Sequence, residues 1–158
     1  MSRFFCRFSA VAFAFLIPLP LLAVGDAALS QAVDDDYASL HALYVNIHRN
    51  PELHDQEVET SARMAEEMQA AGLTVKTGIG GHGVVGLLQN GEGQTLLLRT
   101  IMDALPISEQ TGLEYASTRT AIAADGSEVS VAHACGHDAM MVSAIGAVRY
   151  LAANRDTW

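Results

Sequence analysis

Two histidines, a cysteine and an aspartate lie within six residues in the stretch HACGHD, residues 133–138. Cys135 and His137 are two positions apart, and in an extended segment that spacing directs both side chains to the same side. Thiolate and imidazole are the usual protein ligands of zinc and similar ions. The pair therefore predicts a metal site. A buried, unreactive cysteine beside a hydrogen-bonded histidine is the alternative explanation.

The first 27 residues predict a secretory signal peptide that is cleaved, so we expect a periplasmic or secreted protein. Arg3 and Arg7 precede the apolar run AVAFAFLIPLPLLAV, and small residues follow it, which is the three-part pattern of such a leader. The run is shorter than the roughly 20 residues of a membrane span, and Pro18 and Pro20 interrupt it. An uncleaved membrane anchor is therefore the less favoured alternative.

Cleavage near Gly25 or Ala27 would remove Cys6 and leave Cys135 as the one thiol of the mature chain. Such a thiol is free, bridged to another molecule or bound to a metal. A thiol redox protein would be expected to carry a second cysteine close to the first, and the sequence has none there.

The charge of the chain excludes some partners. The formal net charge is −9, and Lys76 is the only lysine. Nucleic acids and anionic membranes are bound by clustered lysine and arginine. We therefore expect no nucleic-acid partner, and no membrane partner once the signal peptide is removed.

Two helices are predicted before residue 72. The first has aspartates at 34–36 at its positive end and should stop at RNPE, because the residue before proline disfavours helical geometry. Its apolar face recurs at steps of three and four residues: Leu40, Leu43, Tyr44 and Ile47. The second spans about 56–71 and ends at Gly72. Its predicted buried face consists of Val58, Ala62, Ala65 and Met68.

The second half of the chain predicts strands, a long loop and a closing helix. Three runs are β-prone: LTVKT, GVVGLLQ and TLLLRT. A hairpin signal, NGEG at 90–93, lies between the last two. The apolar residues of TLLLRT are consecutive, as expected of a strand covered on both faces. Residues 102–132 predict a loop with one hairpin at ADGSE, and AMMVSAIGAVRYLAAN predicts a helix. This order of elements predicts a layered α/β domain.

Two further stretches accompany HACGHDA. LLLRTIMDALPISEQTG places Asp103 directly after a predicted strand, where α/β folds place their chemistry, and IHRNPELHDQEVET places His48 and Glu52 around a helix break. Together with TGLEYAS, in this order, they resemble the metal-dependent amidohydrolases that include hippurate hydrolase, N-acyl-L-amino acid amidohydrolase and plant indole-acetyl-amino acid hydrolases. These are relatives of aminoacylase and the dinuclear-zinc carboxypeptidases. The resemblance covers the chain from about residue 40 to its end.

The resemblance implies a zinc-exopeptidase-like α/β catalytic domain that hydrolyses the amide bond of N-acyl or N-aroyl amino acids, or of peptides. It implies that Cys135 and His137 bind a pair of divalent metals, zinc or manganese. Asp103 and Asp138 would orient or balance those ligands. A loop or helix-cap carboxylate is the alternative for each aspartate. His133 is expected to be structural.

The sequence departs from the family's pattern in two positions and in length. Ile101 stands where an aspartate is usual, and Met140 stands where a histidine is usual. Family members are more than twice as long, and their remaining part supplies the catalytic glutamate, further ligands and a small dimerisation domain. We therefore expect residues 28–158 to be the truncated N-terminal part of the catalytic domain of a homodimeric parent, inactive alone. A non-catalytic remnant with at most weak metal binding is the alternative.

Overall fold

A computed structural model describes residues 23–158, with side chains from residue 27 onward. Its elements are α1 (Ala23–Arg49), α2 (Val58–Ala70), β1 (Thr74–Ile79), β2 (Gly83–Leu87), β3 (Thr120–Ile122), β4 (Glu128–Ser130), α3 (His137–Ala153) and a short 3-10 helix (Arg155–Thr157). The mixture of helices and strands agrees with the predicted α/β class. Most of the predicted signal peptide, residues 1–22, lies outside the described residues.

Helix α1 is longer than predicted at its N-terminus. The aspartates at 34–36 lie inside it, so the prediction that they mark its start is wrong. The preceding residues AALSQAV are mostly good helix formers, which allow the helix to extend toward the N-terminus. Asp36 forms an ion pair with Arg149 of α3 instead. The helix ends at Arg49, close to the predicted stop before Pro51.

The main core lies between the three helices. Leu43 and Ile47 of α1 pack with Met64 of α2 and with Met141 and Ile145 of α3, and all five are buried. Burial of these side chains is the main force that holds the helices together. Within residues 23–158, none of the helices combines the length and apolar character that a membrane crossing requires.

The buried face of α2 differs from the prediction. Ala65 is buried and Met68 is partly buried against the main core, as predicted. Val58 and Ala62 are exposed, however, and Met64 is buried in their place. Two overlapping apolar faces fit the spacing of this helix, and the positions of α1 and α3 select the one that contains Met64. The helix ends as predicted, because Gly72 adopts a left-handed φ of 85°.

The first two strands form an antiparallel hairpin. Thr74 pairs with Leu87, Val75 pairs with Gly86, and the turn lies at residues 80–82. The predicted hairpin at NGEG is wrong, because residues 95–100 after it do not form a strand that could pair with β2. Gly86 lies against α2, since a Cβ atom at this position would come within 2.8 Å of the Met68 sulfur.

Residues 95–100, TLLLRT, do not form the predicted strand. Leu96 and Leu97 have 75% and 81% of their surface exposed, so the prediction of a segment covered on both faces is wrong for this structure. A strand is stabilised by hydrogen bonds to a neighbouring strand. None of the strands in residues 23–158 pairs with this segment.

A second, smaller core supports the loop between β2 and α3. Leu53, Ala104 and Val131 are buried together. The hairpin of β3 and β4 is adjacent to this core, and its turn lies at ADGSE as predicted. Short bridges join Leu53 to Ala104 and Leu105 to Ala132. The second core therefore brings the segment after residue 102 beside the segment that precedes α3.

Candidate metal centre

Cys135 and His137 lie on either side of a tight bend. Gly136 between them adopts a left-handed φ of 74°, and α3 begins at His137, two residues earlier than predicted. The prediction that both side chains project from an extended segment is therefore wrong. Cys135 is exposed and has no disulfide partner among residues 23–158. His137 occupies the first position of α3 and is partly buried.

The ring of His137 is oriented by Asp103. Its Nδ1 lies 2.8 Å from the backbone oxygen of Asp103 and 3.2 Å from the carboxylate Oδ1 of the same residue. A carbonyl oxygen only accepts hydrogen bonds, so Nδ1 carries the proton. Nε2 of the neutral ring then keeps its lone pair, which is the state required of a metal ligand.

The backbone on either side of Asp103 is held by other segments. The amide of Ala104 donates to the backbone oxygen of Glu52 at 2.8 Å, and Leu105 and Ala132 exchange two hydrogen bonds of 3.0 Å. Because the carbonyl of Asp103 precedes these anchored residues, its direction toward His137 is fixed by both segments.

The side chain of Glu52 performs a second task at the start of α2. Its carboxylate oxygens accept hydrogen bonds from the backbone amides of Glu59 and Thr60 at 3.0 and 2.7 Å. These are amides that a helix leaves without a partner in its first turn. The HRNPEL stretch therefore anchors both helix α2 and the loop of residues 103–119, called the Asp103 loop below. The sequence alone did not predict this role.

Asp138 contacts helix α1 through His48. Its Oδ2 lies 2.6 Å from Nδ1 of His48, and its Oδ1 accepts the amide of Ala139 at 2.9 Å. The carboxylate thus satisfies an amide in the first turn of α3 and at the same time pairs with the imidazole. The hydrogen bond to the Ala139 amide agrees with the helix-cap alternative, and the contact with His48 is one that the sequence did not predict.

The other ring nitrogen of His48 contacts a residue that sequence reasoning missed. Nε2 lies 3.0 Å from Oε1 of Glu109, and the side chains of His48, Glu109 and Asp138 are all buried. Glu109 also accepts hydrogen bonds from the Thr111 hydroxyl and the Ser117 amide. In the sequence Glu109 is one acid among several in a polar loop, so only its proximity to MDALPI and TGLEYAS singles it out.

The electrostatics of this cluster favour a charged imidazole. Burial by itself lowers the pKa of His48, but the hydrogen bonds to Asp138 and Glu109 prevail and raise it above the ordinary value of 6.5. Burial raises the pKa of Glu109, but hydrogen bonds from Thr111, Ser117 and His48 prevail and lower it below 4.5. The two hydrogen bonds to carboxylate oxygens therefore favour the charged, imidazolium form of His48.

His133 is buried beside this cluster, and neither ring nitrogen has a hydrogen-bond partner among the described residues. Burial lowers the pKa of the ring, and repulsion from His48 and His137 acts in the same direction against the attraction of Asp138. Burial therefore favours the neutral form of the His133 ring. Within residues 23–158, no group of three or more His, Cys, Asp and Glu side chains converges as a metal site would require. Cys135 and His137 thus fit a metal by donor type, as two ligands.

Curated proteins similar to this chain are hydrolases. It is 40% identical over 107 residues to "Hippurate hydrolase" of Campylobacter jejuni, covering 67% of this chain and 26% of that protein. It is 38% identical over 112 residues to "Thermostable carboxypeptidase 2" of Saccharolobus solfataricus, with 70% and 26% covered. "IAA-amino acid hydrolase ILR1-like 5" of Arabidopsis thaliana is 37% identical over 105 residues, with 66% and 22% covered. Residues 97–158 match the model of peptidase family M20/M25/M40. The chain belongs to this family.

Two solved structures resemble the chain. A Staphylococcus aureus protein described as an aminohydrolase gives a TM-score of 0.73 at 30% identity, covering 85% of this chain and 33% of that one. The YXEP protein of Bacillus subtilis, described as a dinuclear metal binding peptidase from the M20 family, gives 0.66 at 29% identity, with 77% and 32% covered. The chain spans about a quarter of the length of the curated relatives Hippurate hydrolase and Thermostable carboxypeptidase 2. The predicted family and α/β class are confirmed.

Proposed function

We propose that the protein serves the metal-dependent hydrolysis of the amide bond in N-acyl or N-aroyl amino acids, with Cys135 and His137 as metal ligands. The M20 family is one of peptidases and amidohydrolases, and hippurate hydrolase and an IAA-amino acid hydrolase are among the similar proteins. The observation that carries the proposal is the hydrogen bond between His137 Nδ1 and the Asp103 carbonyl. It leaves Nε2 able to bind a metal.

The chain's own residues have distinct tasks in this proposal. Cys135 would provide a sulfur ligand and His137 would provide Nε2 to a pair of divalent ions, zinc or manganese. Bound metal ions polarise an amide carbonyl and lower the pKa of water. Asp103 holds the His137 ring, and Asp138 holds the first turn of α3. Among residues 23–158 we identify no glutamate placed to act as the general base.

We further propose that residues 28–158 form the N-terminal part of an M20 catalytic domain whose parent is a homodimer. The alternative, a non-catalytic remnant with at most weak metal binding, is favoured by the lack of a third converging ligand within the described part of the chain. The genomic reading frame after the Trp158 codon distinguishes the two. A frame that continues into an adjacent pair of glutamates favours the enzyme, and a stop codon favours the remnant.

We expect the protein to be exported. Protein recovered from its native host should begin near Asp26 or Ala28, because the charged start, apolar run and small residues form a signal peptide. Cleavage there removes only the first residues of α1, which starts at Ala23. N-terminal sequencing checks this expectation, and an intact Met1 on soluble cytoplasmic protein would contradict it.

Metal binding tests the ligand assignment directly. Titration of the purified chain with Co²⁺ should give weak binding and a thiolate-to-cobalt absorption band in the near ultraviolet, because two ligands hold a metal less tightly than a complete site. Cys135→Ser should abolish the band, and His137→Gln should weaken binding by at least about 10-fold.

The matched control is His54→Gln, which removes an exposed histidine that lies near Asp55 and Glu57. This variant should bind Co²⁺ as the wild type does. Tight one-to-one binding that survives Cys135→Ser would show that the ligands are other residues.

A further inference from the structure

Three stretches that are far apart in the sequence meet at one imidazole. His48 comes from HRNPEL, Glu109 lies 61 positions later between MDALPI and TGLEYAS, and Asp138 lies 90 positions later in HACGHDA. The two carboxylates bind opposite nitrogens of the ring at 2.6 and 3.0 Å. None of the three side chains belongs to the ligand pair, so the cluster requires an explanation of its own.

The cluster connects the end of α1 to the start of α3 and to the loop after Asp103. Asp138 is the second residue of α3 and follows His137 directly. Through Thr111 and Ser117, Glu109 fixes the loop that begins near Asp103. A charged imidazole that donates to two carboxylates restricts the rotation of its own ring and of both carboxylate side chains, because charge-assisted hydrogen bonds are strong and directional.

We propose that His48 is a positioning residue: held between Glu109 and Asp138, it fixes the first turn of α3 and the Asp103 loop relative to each other, and so aims Nε2 of His137 at the metal. This role rests on the proposed function. His48 itself does not contact the metal ligands, and it acts through Asp138 and Glu109. Residues that orient metal ligands in this way commonly change metal affinity by 10–100-fold when they are replaced.

The role depends on the charge of His48 and therefore on pH. The groups that face the ring are Tyr44 from α1, Glu109 and Tyr115 from the loop, Asp138 from α3 and, at longer range, His133. The pKa of His48 is raised in the folded chain. Its charged contacts are thus fully present below about pH 6.5 and are lost as the pH rises through the folded value.

The test measures Co²⁺ affinity of the purified chain at pH values from 6.5 to 9 for the wild type, His48→Gln, Glu109→Gln and the double variant. At pH 6.5, each single variant should bind Co²⁺ about 10-fold more weakly than the wild type. The double variant should lose no more than this, because both changes break the same contact between His48 and Glu109. The difference in Co²⁺ affinity between each variant and the wild type should become smaller as the pH rises. A purely structural residue would give a difference that does not depend on pH.

Nitrogen NMR of the wild-type chain gives a readout that needs neither metal nor variant. Both ring nitrogens of His48 should carry protons at pH 6.5, and the titration midpoint should lie above this value. A midpoint at or below 6.5 would overturn the proposal, and so would equal Co²⁺ affinities in the wild type and a folded variant. If one variant loses its helical circular dichroism, the Co²⁺ affinity of the other variant and the NMR midpoint of the wild type test the positioning role.

The failure of the proposed function is a separate outcome. A wild-type chain that binds no Co²⁺ would contradict the ligand assignment of Cys135 and His137, and the positioning role would fall with it, even if the NMR midpoint of His48 is raised. Co²⁺ binding that is lost in Cys135→Ser but unchanged in His48→Gln and Glu109→Gln would overturn the positioning role alone.

Discussion

Purified protein of 158 residues should release no amino acid from hippurate or from N-acetyl-amino acids above a no-enzyme control, even with added zinc, manganese or cobalt. Catalytic zinc sites typically combine three protein ligands with an open position, and hydrolysis also needs a positioned base. The described residues bring two candidate ligands and no group of three or more. Loss of a single catalytic group commonly lowers the rate by several powers of ten.

The informative comparison is with Cys135→Ser protein assayed under the same conditions. Equal, background-level release from both proteins agrees with the expectation. Metal-dependent release by the wild type that disappears in Cys135→Ser would contradict it. That result would mean that a partner chain or an unrecognised residue supplies the base and the missing ligands.

Met141→Ala should destabilise the fold by about 2–5 kcal/mol, the usual cost of truncating a large buried side chain to alanine. Met141 is completely buried, with 0% of its surface exposed, and it packs with Leu43 and Ile145 between α1 and α3. Because whole domains are stable by only about 5–15 kcal/mol, the loss is large. Urea unfolding followed by circular dichroism measures it.

The adjacent residue provides the matched control. Met140 carries the same side chain in the same helix but is 45% exposed, so Met140→Ala should change the free energy of unfolding by no more than about 0.5 kcal/mol. Similar losses in the two variants would show that the faces of α3 are assigned wrongly. Met140 also occupies the position where a histidine is usual in the family, and its exposure shows that this departure leaves the core unchanged.

The sequence by itself determined the features that depend on neighbouring residues. Pro51 ends α1, Gly72 ends α2, and ADGSE forms a turn, because backbone restrictions of proline and glycine act within a few positions. The motif stretches and their order also sufficed to show the resemblance to the metal-dependent amidohydrolases, and the order of the elements predicted the α/β class. These predictions needed no knowledge of how distant segments approach one another.

Only the tertiary structure decided how distant segments meet. The rotation of α2 depends on the positions of α1 and α3, and the segment at 95–100 lacks a paired strand among the described residues, whatever its β propensity. The contacts of His48 with Glu109 and Asp138 join residues 61 and 90 positions apart. Sequence patterns report local preference and burial, whereas such contacts follow from the path of the whole chain. The contact of Glu109 with His48 therefore became evident only once that path was known.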